Sequence, residues 1–329
     1  MVAVISRRQV LGAAAAAFGA QLACRAWAQQ AGSAVRVCVG FPPGSTADVV
    51  ARVLATRLAA AGQPHIVDNR PGAGGRLALD NIKQARADGS ALLVTPDAMM
   101  TLYPKVYRRL SYDPLLDFTP VTTLATVPLC ISIGPLVPAE VGTLAEFVRW
   151  ASAHPEKASF GTSGAGTTLH FTGWGLAQAA RIELAHVPYR GSILALQDMV
   201  GGQIAASVNP LGEVLPFAAE GRARILAVSS AERSPYAPSA PTLREAGFAA
   251  LESMTWFGLF LPAKAPDSVV RPLQLAAAQA VNSTEAREVL SKMALTPAVL
   301  SPGEFKALIQ ADQEHWAPIV RQTGYVIEE

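Results

Sequence analysis

Patterns for metal binding and thiol redox chemistry are missing from this chain. Its 329 residues include only three cysteines and five histidines. No CxxC, no HExxH and no His/Cys cluster at ligand spacing occurs, so neither a metal nor any other cofactor is expected. Long apolar runs are missing too: past Ala28 none reaches the roughly 20 residues that a membrane-spanning helix needs. Gly72-Ala73-Gly74-Gly75 lacks the third glycine of a dinucleotide turn. Gly161-Thr162-Ser163-Gly164-Ala165 fails the last position of G-x-S-x-G. A basic surface is missing as well. Of 27 basic and 25 acidic residues, Arg7, Arg8 and Arg25 lie before Gln29, where there is no acid, so 24 bases face 25 acids in the remainder. Without a Lys/Arg stripe, nucleic-acid binding has no electrostatic footprint.

What is present begins with an address. Ser6-Arg7-Arg8-Gln9 leads into an apolar run of about 13 residues, Leu11 to Ala23, and then Ala26-Trp27-Ala28. An arginine pair, a short apolar core and a small-x-small site describe a cleavable export signal, residues 1–28, with cleavage after Ala28 into the periplasm. The adjacent arginines favour the twin-arginine route. Cys24 follows Leu22-Ala23 and offers a lipoprotein alternative, but Gln21 stands where a lipobox has an aliphatic residue. Cys38 and Cys130 lie far apart in separate apolar runs and read as two buried free thiols.

About 300 mature residues exceed one typical core and indicate two domains. Strands alternate with helices, which predicts parallel sheets built from βαβ units. Strands are expected at Val35–Val39, Ile66–Val67 and Ala91–Thr95, with a helix over Ala47–Ala61 between the first two. The pattern restarts near Val121, with strands at Leu129–Ile133, Ser159–Phe160, Leu184–Val187, Ile204–Val208 and Ile225–Val228. Helices are expected at Leu144–Ala153 and from the Gly161–Thr167 loop to about Arg181. A strand at Trp256–Leu261 precedes helices at Val269–Val281, Glu285–Lys292 and Pro302–Gln322. The helical tail needs a surface, so it should return to the first lobe. Lobe one is then 29–125 plus 256–329, lobe two is 126–255, and two crossings make a hinge. Ligands of open α/β sheets sit at strand carboxyl ends.

Two turns carry chemistry. In Phe41-Pro42-Pro43-Gly44-Ser45-Thr46-Ala47-Asp48 a strand ends and Ser/Thr stand where a helix N-cap belongs. Helix N-termini leave about four backbone N–H groups unpaired and carry partial positive charge, so they take anions without Lys or Arg. Gly161 to Thr168 repeats the arrangement in the other lobe, with Gly164 and Gly166 for close backbone approach and hydroxyls at Ser163 and Thr167. Across a cleft, the pair could each hold one carboxylate of a small diacid. A serine hydrolase is the competing reading, because Ser163, Asp198 and His186 or His315 offer a triad order.

The segments Phe41-Pro42-Pro43-Gly44 with Asp48-Val49-Val50-Ala51-Arg52, Asn69-Arg70-Pro71-Gly72-Ala73-Gly74-Gly75, Val187-Pro188-Tyr189-Arg190-Gly191, Gly201-Gly202-Gln203 and Trp256-Phe257-Gly258-Leu259 resemble the Bug-type periplasmic solute-binding proteins of tripartite tricarboxylate transporters. The similarity runs over nearly all the mature chain. It implies a two-lobed α/β Venus-flytrap, the type II periplasmic-binding-protein fold, with two doubly wound sheets and a hinge. It further implies a monomer that holds a small carboxylate by backbone N–H groups and water, delivers it to membrane permease subunits and catalyses nothing. Carried onto this sequence, the ligand loops fall at Phe41, Gly44, Ser45, Thr46 and Asp48, at Thr95, at Ser163, Gly164, Gly166, Thr167 and His170, and at Tyr189. Ser45 replaces a second glycine of the family pattern, Arg76 an Asn, Ala205 an Asp and Asn209 another Asp. A neutral Asn209 facing the cleft cannot pair with a ligand ammonium, which predicts a preference for simple acids over amino acids. A sensor role, docking a membrane signalling protein instead of a permease, fits the same resemblance.

Overall fold

The computed structural model describes residues 34–60 and 62–328, so the export-signal and cleavage-site expectations lie outside the described residues. Strand β1, Val35–Val39, is a run of mostly β-branched residues and almost wholly buried. That suits a strand covered on both faces. Helix α1, Thr46–Ala59, buries Val50, Val53, Leu54 and Leu58, and its N-cap Ser45 accepts the Asp48 N–H. Strand β2 spans His65–Asn69, helix α2 Arg76–Lys83 and strand β3 Ala91–Pro96. Both β2 and β3 pair parallel with β1.

Two short helices, α3 (Ala98–Thr101) and α4 (Tyr103–Val106), and a ten-residue strand β4 (Phe118–Val127) follow. The sequence reading missed all three. In β4, Pro120 and buried Thr122 and Thr123 break the apolar run by which a central strand is recognised.

The second lobe opens at β5 (Leu129–Ile133) and α5 (Leu144–Ala153), where expected. It continues through β6 (Ser159–Thr162), α6 (Thr168–Ala180), β7 (Ala185–Pro188), α7 (Ser192–Val200), β8 (Ala206–Pro210), α8 (Leu211–Ala219) and β9 (Arg224–Val228). The chain then returns through β10 (Thr255–Pro262), α9 (Asp267–Asn282), α10 (Thr284–Ser291), β11 (Thr296–Pro297) and α11 (Pro302–Thr323). Phe305, Ile309 and Val320 of α11 join the first core, so the tail does cover the first sheet.

The sheet orders are β11-β4-β10-β3-β1-β2 and β7-β6-β8-β5-β9. Neither sheet is all parallel, which corrects the expectation from strand–helix alternation. Strand β10 runs antiparallel to β3 and β4, and β5 antiparallel to β8 and β9. The reason is the double crossing: a strand that enters a lobe from its neighbour starts at the cleft, whereas βαβ strands end there. At the crossings Ser229 accepts the Leu129 N–H on its hydroxyl at 2.9 Å and donates its own N–H to Leu129 O at 2.8 Å. Its hydroxyl also donates to Ser253 O at 2.7 Å, and its carbonyl accepts from Ser253 N at 2.9 Å. One buried serine thus ties both linking segments together. Cys38 and Cys130 are free and buried in different sheets, and burial pushes the Cys38 thiol up to about 11.

Candidate functional site between the lobes

The two sheets face each other with their strand carboxyl ends, and a cavity of about 40 Å³ lies between them. That is room for a few waters, so the lobes stand closed. Contacts across the gap agree. A Cβ on Gly191 would meet Pro42 Cδ at 3.0 Å, and one on Gly166 would meet Val106 Cγ2 at 2.9 Å.

On the first lobe, the turn after β1 is organised by Asp48, which is 1% exposed. Its carboxyl accepts from Gly44 N–H, Arg52 Nε and Asn69 Nδ2, each at 2.8 Å. Burial alone would raise this acid, but the bonds from Arg52, Gly44 and Asn69 hold it below the usual carboxylate range. Asn69 also donates to Phe41 O at 3.0 Å, which explains the Asn at the end of β2. Beyond that frame, Thr46 presents its N–H and hydroxyl to the cleft.

Both Thr46 donors are met by an acid of the opposite lobe. Glu213, in the first turn of α8, accepts from Thr46 N at 3.1 Å and from Thr46 Oγ1 at 2.7 Å. Asn209 Nδ2 donates to Glu213 Oε2 at 3.3 Å and to Ser192 O at 2.9 Å. The carboxyl group that Asn209 lacks therefore stands four residues further on, in the first turn of α8. Asp97, just past β3, makes the reciprocal bridge: it accepts from Ala98 N at 2.9 Å and from Thr168 Oγ1 of the second lobe at 3.1 Å. Burial, then the nearby Asp312, push the Asp97 carboxyl up to about 7. Asp312 is itself raised by burial and accepts from Trp256 Nε1 at 2.7 Å.

The second turn is built around Gly164, whose φ is +148°. Its carbonyl accepts from Thr162 Oγ1 at 3.0 Å and Thr167 Oγ1 at 2.9 Å, and Thr167 Oγ1 caps α6 by accepting from His170 N. His170 Nδ1 accepts from Gly166 N at 3.2 Å, and its ring stacks on His186 at 4.0 Å. Burial pushes His170 down to about 4, and burial with the facing His170 pushes His186 down to about 3. Both imidazoles therefore sit neutral under the turn at pH 7.

Of the residues expected from sequence, Phe41, Ser45, Thr46, Ser163 and Thr167 line the cavity. Gly44 and Asp48 frame the first turn, while Gly164, Gly166 and His170 frame the second. Thr95 lies buried in β3, ahead of Asp97. Tyr189 donates its hydroxyl to Asp198 at 2.7 Å, and Asn209 is fully buried beneath Glu213. Sequence reasoning missed Asp97, Ser192, Glu213, Thr255 and Phe257 in the wall. Asp97 and Glu213 each follow a strand carboxyl end, the one signal that could have marked them. Thr255 Oγ1 is buried there without a hydrogen-bond partner. The hydrolase order is not assembled: His186 Nε2 meets Thr162 Oγ1 at 2.7 Å, and Asp198 is taken by Tyr189. Among the described residues no cluster of His, Cys, Asp and Glu could hold a metal, and no helix is long and apolar enough to cross a membrane.

This two-lobed α/β frame with a cavity between its lobes is that of a solute-binding receptor, and relatives carry the same frame. The profile of the Tripartite tricarboxylate transporter family receptor matches residues 50–325, and the chain belongs to that family. Protein BugT of Bordetella pertussis is 30% identical over 88% of this chain and 89% of its own. A Rhodopseudomonas palustris protein solved with adipate superposes with a TM-score of 0.84 at 29% identity, over 89% of this chain and 98% of that one. MatC of the same organism, solved with malate, gives 0.81 at 28% identity, over 87% and 98%.

Proposed function

We propose that this chain is an exported periplasmic receptor. It captures a small carboxylate-bearing solute between lobes 29–125 plus 256–329 and 126–255, as a monomer, and hands it to the permease of a tripartite carboxylate transporter. It catalyses no reaction. The observation that carries this reading is the cavity between the lobes. Helix N-termini α1, α6 and α7 converge on it with Thr46, Thr167 and Ser192, and the Thr255 hydroxyl is left unpartnered in its wall. Donors of that kind suit a carboxylate. The malate and adipate bound by two structural relatives are ligands of this class.

A solute that binds only the native state stabilises it by RT ln(1 + [L]/Kd), about 2.7 kcal/mol at a hundredfold excess over Kd. A thermal-shift panel of succinate, malate, adipate, citrate, glutamate, aspartate, nicotinate, benzoate and terephthalate should therefore contain at least one solute that raises the melting temperature by a few degrees. A flat panel refutes the carboxylate class. Intact mass of the same periplasmic protein should begin at Gln29, and a lipid on Cys24 would overturn cleavage after Ala28.

A further inference from the structure

The cavity wall carries two acidic side chains, Asp97 from one lobe and Glu213 from the other, and no Lys, Arg or His. Both acids are nearly inaccessible, at 5% and 4% exposure. Glu213 already takes the N–H and hydroxyl of Thr46, the donors at the N-terminus of α1 that a second ligand carboxylate would need. A dianionic acid would have to expel Glu213 from those donors and then face both acids in a site with little water. The second turn is engaged more lightly. Asp97 takes only the Thr168 hydroxyl there. No acid bonds to Ser163 or to Thr167, whose hydroxyl donates to Gly164 O within the turn, and the partnerless Thr255 hydroxyl lies in the same wall.

Resting on the carboxylate-receptor reading, we propose that Glu213 and Asp97 make this cavity select a solute bearing an ammonium or similar cationic nitrogen beside a single carboxylate. Glu213 is the residue that discriminates against the corresponding diacid. The carboxylate goes to the Ser163–Thr167 turn, and the nitrogen goes between the two acids. Opposite charge placed beside a buried carboxyl favours its ionised form, so Asp97 gains its charge when the nitrogen arrives. Conversely, an anion there meets like charge across a short, poorly screened distance.

Calorimetry on the purified mature chain with matched pairs tests this: aspartate against succinate, glutamate against glutarate, and β-alanine against propionate. In the wild type, the amino member of at least one pair should bind tenfold or more tighter than its deaminated partner. Glu213→Gln keeps an oxygen acceptor for Thr46 but removes the charge, and should cut that ratio at least tenfold. Asp97→Asn should cut it as well, which guards against a folding defect peculiar to one variant, and circular dichroism checks both. Tighter binding of the deaminated acid by the wild type overturns the inference and leaves the carboxylate reading standing. So does a ratio unmoved in both variants. Failure of every probe in every pair to bind also overturns the inference, while the carboxylate reading falls only if the wider thermal-shift panel is flat as well.

Discussion

Thr46 serves both lobes with one residue, which makes it the sharpest place to test the closed cleft. Its hydroxyl donates to Glu213 at 2.7 Å across a separation of 167 positions in the chain. Thr46→Val keeps the shape and removes the donor, leaving a buried acid short of one hydrogen bond. The expected cost is about 1–3 kcal/mol, read as a lower urea midpoint at unchanged slope. An unchanged midpoint would mean that the bond contributes nothing in solution. At this scale the sequence showed half the site. Ser45, Thr46, Ser163 and Thr167 were legible because N-cap residues follow local rules. Glu213, Asp97 and Thr255 were not, because a buried acid becomes recognisable only through partners supplied by distant chain.

Helix α6 illustrates how an element is held by groups that never enter the cleft. Its first turn rests on His170, stacked on His186 of β7. With folded values near 4 and 3, both rings stay neutral where an unfolded histidine, near 6.5, takes up a proton. The unfolded chain then binds more protons, so their contribution is present above about pH 6.5 and is lost as pH falls toward 4 and 3. Asp97 works oppositely: its raised value makes stability fall as pH rises from about 4 to 7. Asp312, raised with it, adds to that opposing slope, so the histidine share is read as a difference. The melting temperature of the wild type, relative to a variant lacking one imidazole, should climb with pH across about 4 to 6.5. His186→Gln, which can keep a contact to Thr162, is that variant, and an identical slope in both would remove the histidines as a cause. Element positions read well from sequence where periodicity was clean, as in β5 and α5. They failed at β4, where buried threonines hide the strand, and at the two one-turn helices α3 and α4, too short for any period to show.

At the scale of the whole molecule, closure depends on two linking segments that Ser229 joins by four hydrogen bonds. Ser229→Ala deletes the two made by its hydroxyl and keeps the two made by its backbone. The lobes should then open more readily: small-angle scattering of the ligand-free variant should give a larger radius of gyration. Solute affinity should fall several-fold, because closure costs more when the hinge is looser. Scattering curves and affinities matching the wild type would show that the linkers close independently of this serine.

Residue pattern by itself determined that the chain is α/β, that it restarts into a second lobe, and that two capped turns end strands in separate lobes. These follow from hydrophobic period, glycine and proline breaks and N-cap chemistry, all of which act over a few residues. Only the tertiary structure decided that both sheets are mixed, since strand direction depends on the side from which the chain enters each lobe. Only it placed Glu213 on the α1 N-terminus and Asp97 on Thr168. Those bonds exist because two lobes close on each other, and no local sequence signal encodes where two separately folded surfaces will meet.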